Sequence, residues 1–161
     1  MQVCDLADVI RIQAEAYIDE ILETDEVILA RFKQTADTSW VVERAGEICG
    51  YLVGYYANLG EVSPWGYEFS HKSDANTLYL HDLAISRSAT GYGLGPLIVK
   101  HALEHAQRRT VSHAALVSVQ NSKRFWEKLG FSTVENLLQA QHQHLATYAG
   151  PAFYMAKPLL A

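Results

Sequence analysis

The chain has 161 residues, of which 49% are hydrophobic and 19% charged, with a formal net charge of −5. That length suits one domain with a proper core, and the composition excludes a disordered tail. The acidic balance argues against a general nucleic-acid binder, and no apolar run approaches the ~20 residues of a membrane span. Two cysteines, Cys4 and Cys49, make no disulfide framework, and the N-terminus lacks the pattern of a secretion signal. The expectation is a single domain over residues 1–161 in the cytoplasm, with no nucleic-acid or membrane partner and a homodimer left open. The negative charge mildly suits a cationic substrate.

The opening "DLADVIRIQAEAYIDEIL" puts Val9, Ile12, Ala16 and Ile21 at helical spacing, with Asp5 or Asp8 as N-cap. A second helix is predicted over "DEVILARFKQT", where Asp25 can cap and Glu26 suits the positive end of the dipole. "SWVVERAGEICGYLVGYY" reads as a hairpin whose turn uses Gly46 for a positive φ. Residues 57–76 form a loop long enough to be functional or mobile. Then come the strand "TLYLHDLAI", a helix from Pro96, the strand "AALVSV" and a short helix capped by Ser122. Gly130 is expected to end that helix in the left-handed conformation, with Phe131 packing back. "FSTVE" and "AFYMAKPL" are the final predicted strands. The order predicts a mixed α/β fold with a parallel element in the middle.

Between strand and helix lie Gly91, Gly93 and Gly95. First-turn amides have no intrahelical partner and sit at the positive end of the dipole, so such a junction suits a phosphate. Successive amides can also converge on one concavity. The dinucleotide fingerprint fails, because the sixth position is Pro96 counted from Gly91 and Ile98 counted from Gly93. The nucleoside-triphosphate loop fails too, since no Gly-Lys-Ser/Thr follows. The alternative is that these glycines only make the turn.

The window "TGYGLG" resembles the Gln/Arg-x-x-Gly-x-Gly/Ala signature of the GNAT superfamily of N-acetyltransferases. Gly93 and Gly95 take the two glycine positions, and Thr90 stands where glutamine or arginine is usual. "ALVSVQNSKRFWEKLGF" matches the strand and short helix that follow in that family. The resemblance covers most of the chain and implies the GNAT α/β fold, a mixed central sheet flanked by helices. It also implies an acetyl-CoA site with no metal. Pantetheine would lie along Leu83, Ala84 and Ile85, and an amide near Leu83 would hold the oxyanion. The pyrophosphate would sit on the loop of Thr90, Gly91, Tyr92, Gly93, Leu94, Gly95 and Pro96, with Pro96 donating nothing. Asn121 and Trp126 would flank the cofactor arm.

Direct acetyl transfer needs a neutral amine and is helped by protonating the departing thiolate. "LHDLAI" is similar to the strand of arylalkylamine N-acetyltransferase, which makes His81 the candidate base. The alternative is a strand histidine with a satisfied hydrogen bond and no catalytic duty. Strict alternation puts His81 on one face and Asp82, read as structural, on the other. The family's usual acid, a tyrosine four residues before the glycine of "GF", is replaced by Trp126, which cannot deliver that proton. Tyr148 and Tyr154 are candidate substitutes, and Tyr79 shares the strand face of His81.

"HALEH", His101 to His105, matches the H-x-x-E-H of a zinc-peptidase class, but the neighbouring apolar residues leave both histidines toward the rim. His142 and His144 read as exposed loop residues. Trp65, Tyr67 and Phe69 either favour an aromatic or apolar amine or simply anchor their loop. The activity implied is acetyl transfer to a primary amine, a small molecule being favoured. The alternatives are a peptide or protein amine, or a non-catalytic acyl-CoA-binding module.

Overall fold

The computed structural model describes residues 1–18, 22–66, 69, 74–109 and 111–159. The chain forms two compact units, Met1–Gly54 with His81–Ala102, and Tyr55–Leu80 with Leu103–Ala161. The expected hydrophobic periodicity builds the first. Helix α1 (Leu6–Ala16) buries Leu6, Val9 and Ile12, and α2 (Asp25–Thr35) buries Ile28 and Phe32. These residues form one core with Tyr51 and Ala84. Strand β1 (Ser39–Arg44) pairs antiparallel with β2 (Glu47–Ala57) around the turn at Ala45 and Gly46. Both turn residues have positive φ, 53° and 83°, the geometry whose twist matches a two-residue hairpin.

Strand β3 (Thr77–Ile85) leads through a short turn at Arg87–Ala89 into α3 (Leu94–Arg108). In the second unit, β3 pairs parallel with β4 (His113–Ser118), and that register ends at Tyr79↔Ala115. There α4 (Lys123–Lys128), β5 (Ser132–Thr133), α5 (Gln139–Leu145) and β6 (Phe153–Pro158) follow. The sheet order β1-β2-β3-β4-β6-β5 is mixed, and with its helices it makes the expected α/β fold.

Gly130, at φ +86°, ends α4. Its amide donates to Glu127 O at 3.0 Å and that of Phe131 to Trp126 O at 3.1 Å, the paired bonds of a left-handed helix stop. Phe131 is buried edge-on against the Trp126 ring, 5.5 Å away. Four local expectations are corrected. Helix α1 ends at Ala16, because Tyr17 turns extended (φ −108°, ψ 156°); Ile21 lies outside the described residues. Asp5 takes the N-cap position of α1, one of the two expected, but its side chain caps no amide of that helix and instead accepts the Gln2 amide at 2.6 Å. The N-cap of α2 is Thr24, not Asp25, which is its first helical residue. Ser122 sits at the N-cap of α4 but its hydroxyl meets that of Ser118 at 3.0 Å.

Candidate functional site

The glycine junction has the geometry its sequence suggests. Gly91 and Gly93 adopt φ +88° and +74°, and a Cβ on either would meet nothing within 4 Å. Glycine is therefore needed there for the left-handed backbone, not to clear a clash. The Leu97 amide donates to Gly93 O at 3.2 Å and closes the first turn of α3. Among the described residues no acceptor meets the amides of Gly91, Tyr92, Gly93, Leu94 or Gly95. Leu94 is buried with Cys49 and Ala89 and anchors the helix start, while Tyr92 is exposed under the guanidinium of Arg44, 3.8 Å from the ring centre. Pro96 falls in the first turn, where its missing N–H costs no hydrogen bond. This row of unused donors fits a phosphate-bearing ligand.

A buried polar cluster gathers at the His81 end of the same unit. The side chains of His81, Arg31 and Glu23 are only 5%, 6% and 11% exposed. Arg31 Nη1 lies 2.7 Å from His81 Nε2 and pairs with Glu23, whose Oε1 is 3.9 Å from the same ring nitrogen. The Glu23 amide donates to Gln13 Oε1 at 2.6 Å. Burial pushes the Glu23 carboxyl up, yet His81 and Arg31 beside it hold it below its ordinary value.

Asp82 joins this cluster, contrary to strict alternation, which would separate it from His81. The two residues line one small cavity with Glu23, Arg31 and Tyr51. Tyr51 Oη donates to Asp82 Oδ2 at 2.7 Å; Tyr17 Oη lies 2.5 Å from Oδ1 and 3.0 Å from Leu83 O. Burial raises the Asp82 carboxyl, against the opposing pull of the two tyrosine hydroxyls and His81. Of the strand positions expected along the cofactor, Ala84 is in the core and Leu83 and Ile85 are half-buried.

The remaining candidates belong to the second unit. Tyr154 is fully buried and accepts the Gly60 amide at 2.9 Å, and burial pushes its hydroxyl up to about 12. Tyr148 donates to Ser63 O at 2.8 Å and packs edge-on against Trp65, 5.7 Å away. Phe69 stacks on Tyr55 at 4.2 Å, so Trp65 and Phe69 anchor their loop; Tyr67 lies outside the described residues. Asn121 adopts φ +59° just before α4, and Trp126 is buried within that helix.

His101 meets Trp40 edge-on at 6.1 Å. His144 is helical rather than in a loop, and its Nδ1 lies 2.9 Å from Val62 O. Sequence reasoning missed Tyr17, Glu23, Arg31 and Tyr51. The legible signal was Arg31 itself, which shares the apolar face of Ile28, Phe32 and Thr35.

Comparison with known proteins adds the family context. A model of the acetyltransferase (GNAT) family matches residues 6–131. No curated protein matches the chain significantly. The structure is similar to a GphF GNAT-like decarboxylase in complex with isobutyryl-CoA, with TM-score 0.78, 14% identity and coverage of 99% and 97% of the two chains. It is also similar to the loading GNATL domain of CurA from Lyngbya majuscula (TM-score 0.76, 13% identity, 99% and 95% covered). A third likeness is to the ribosomal-protein-S18-alanine N-acetyltransferase of Escherichia coli (TM-score 0.68, 14% identity, 99% and 90% covered).

Proposed function

The chain belongs to the GNAT acetyltransferase family, and on that premise we propose that it moves acetyl from acetyl-CoA to a primary amine by direct attack on the thioester. A small-molecule amine is the favoured acceptor, and no metal takes part. The observation that carries the reading is the row of amides from Gly91 to Gly95 at the start of α3, which meet no acceptor among the described residues. These would hold the pyrophosphate, with Thr90, Tyr92, Leu94 and Pro96 shaping the loop around it. The backbone of Leu83, Ala84 and Ile85 would run beside pantetheine, and an amide near Leu83 would stabilise the oxyanion. Asn121 and Trp126 are assigned to the cofactor arm as well. The co-substrate brings the activated thioester; the chain supplies position and proton movement.

His81 is the assigned base. Its Nε2 becomes available to an amine once Arg31 withdraws onto Glu23, to which it is already paired. Of the sequence candidates for the acid, Tyr148 donates its hydroxyl to Ser63 O and Tyr154 accepts the Gly60 amide. Thiol release from acetyl-CoA tests the assignment against a panel of primary amines and short peptides. A small amine is expected to be turned over faster than any peptide. His81→Ala is expected to lower kcat about 10²-fold across neutral pH with acetyl-CoA affinity unchanged. Release with no amine and no peptide would leave a non-catalytic acyl-CoA-binding module.

A further inference from the structure

With Asp82 ionised, each of its oxygens takes one tyrosine hydrogen and Leu83 O receives none from Tyr17. Tyr17 Oη stands 2.5 Å from Asp82 Oδ1 and 3.0 Å from Leu83 O, two oxygens that both accept when Asp82 is charged. A phenol has one hydrogen and cannot satisfy both. Tyr51 spends its own hydrogen on Oδ2 at 2.7 Å and cannot help. Placing a proton on Asp82 Oδ1 completes the set. Asp82 then donates to Tyr17, Tyr17 donates to Leu83 O, and Tyr51 donates to the remaining carboxyl oxygen.

We propose that Asp82 is stored as the neutral acid and that Tyr17, backed by it, is the acid that protonates the departing thiolate. The proposal rests on the acetyl-transfer reading, which lays the thioester beside Leu83. Direct transfer breaks the C–S bond and leaves its electron pair on sulfur. The Tyr17 hydroxyl gives its proton to that sulfur as Asp82 gives its own to the phenol oxygen. The product is a thiol, a neutral tyrosine and the Asp82 carboxylate. The amine's lost proton leaves through His81, and Asp82 regains one from solvent, so protons balance over the cycle.

The pairing answers an objection to a lone tyrosine. Burial raises the Tyr17 hydroxyl well above its ordinary value, which makes a free tyrosinate costly. Concerted donation from Asp82 avoids forming one. The charge arriving on Asp82 meets Tyr17 beyond α1 and Tyr51 on β2. Arg31 on α2, paired with Glu23 and touching His81, is the cation on that side of the cluster. Burial raises the Asp82 carboxyl, in keeping with stored acid.

The test has one readout on the free protein and one on turnover. Infrared difference spectra at neutral pH, wild type against Asp82→Asn, are expected to show a protonated-carboxyl band that the variant lacks. An amide reproduces both the donor and the acceptor of a neutral acid, so Asp82→Asn is expected to melt within a few degrees of wild type. A wild-type spectrum with only carboxylate at Asp82 overturns the proposal. For turnover, Tyr17→Phe is expected to slow thiol release from acetyl-CoA with 2-phenylethylamine about 10²-fold. Most of that loss should vanish with an acetyl thioester of an aromatic thiol, whose thiolate leaves unaided. Equal loss with both donors, or no loss, overturns the acid role. Failure of acetyl-CoA to raise the wild-type melting temperature instead overturns the acetyl-transfer reading, which the infrared measurement does not touch.

Discussion

Two groups of buried tyrosines are built on opposite terms. In the first unit Tyr17 and Tyr51 turn their hydroxyls to one carboxyl group, Asp82, beside the polar cluster of Glu23, Arg31 and His81. In the second, Tyr55 stacks on Tyr79 at 5.0 Å and on Phe69 at 4.2 Å, and Tyr79 lies 6.4 Å from Tyr154. Rings that stack gain from apolar area and quadrupole geometry and hold a scaffold in place. Hydroxyls that converge on a buried carboxyl group gain little net stability, since polar groups leave water at a cost. The first unit places that polar burial beside the strand that the functional reading gives to the acyl donor.

The contrast can be broken by substitution. Tyr55→Ala removes a ring stacked on two neighbours and is expected to cost about 4 kcal/mol in chemical denaturation. No second polar change should recover it. Arg31→Met leaves Glu23 buried without its partner and is expected to cost about 3 kcal/mol. Here adding Glu23→Gln should recover a large part, because the loss is that of a stranded charge. Equal recovery in both regions, or in neither, would erase the distinction drawn between them.

Glu23 titrates below its ordinary value of 4.5 in the folded state, so its contribution is present above that value and is lost as pH falls through the lower folded value. Arg31→Met should weaken that acid dependence, with His81 still beside the carboxyl. Tyr154 is raised from 10.0 to about 12, so its contribution is complete below pH 10 and is lost as pH rises toward about 12. Two pH units correspond to about 2.7 kcal/mol, and Tyr154→Phe should remove that share of the alkaline loss in a denaturation series.

The smallest expected effect lies away from both clusters. Ala45 holds φ +53° in the β1–β2 turn beside Gly46. Asparagine tolerates the left-handed region better than alanine and is favoured in that turn. Ala45→Asn is expected to stabilise by about 0.5–1 kcal/mol without altering acetyl-CoA binding, as read by denaturation and a thermal shift.

Local signals were the legible ones. The stop of α4 at Gly130 and Phe131 could be read because the left-handed residue and its apolar contact lie adjacent in the chain. The glycine junction was readable for the same reason. The end of α1 was not, because Tyr17 leaves the helix with a hydroxyl bound 65 residues away at Asp82. Helix α5 has no buried residue and hence no apolar period; Gln141 and His144 tie it to Val62. The separation of His81 from Asp82 failed because alternation describes a regular strand, and both residues reach the Glu23–Arg31 cavity. Glu23 and Tyr51 entered the candidate site only through tertiary contacts.

The central claim is that the amides of Gly91 to Gly95 close on an acyl-CoA pyrophosphate. The most direct measurement is the melting temperature with acetyl-CoA, with ATP and NAD as controls. A ligand bound only by the folded state at about 100 times its Kd adds about 2.7 kcal/mol. The account predicts a rise of several degrees with acetyl-CoA and a much smaller one with either control. No shift at millimolar acetyl-CoA would contradict it and reduce the junction to a turn.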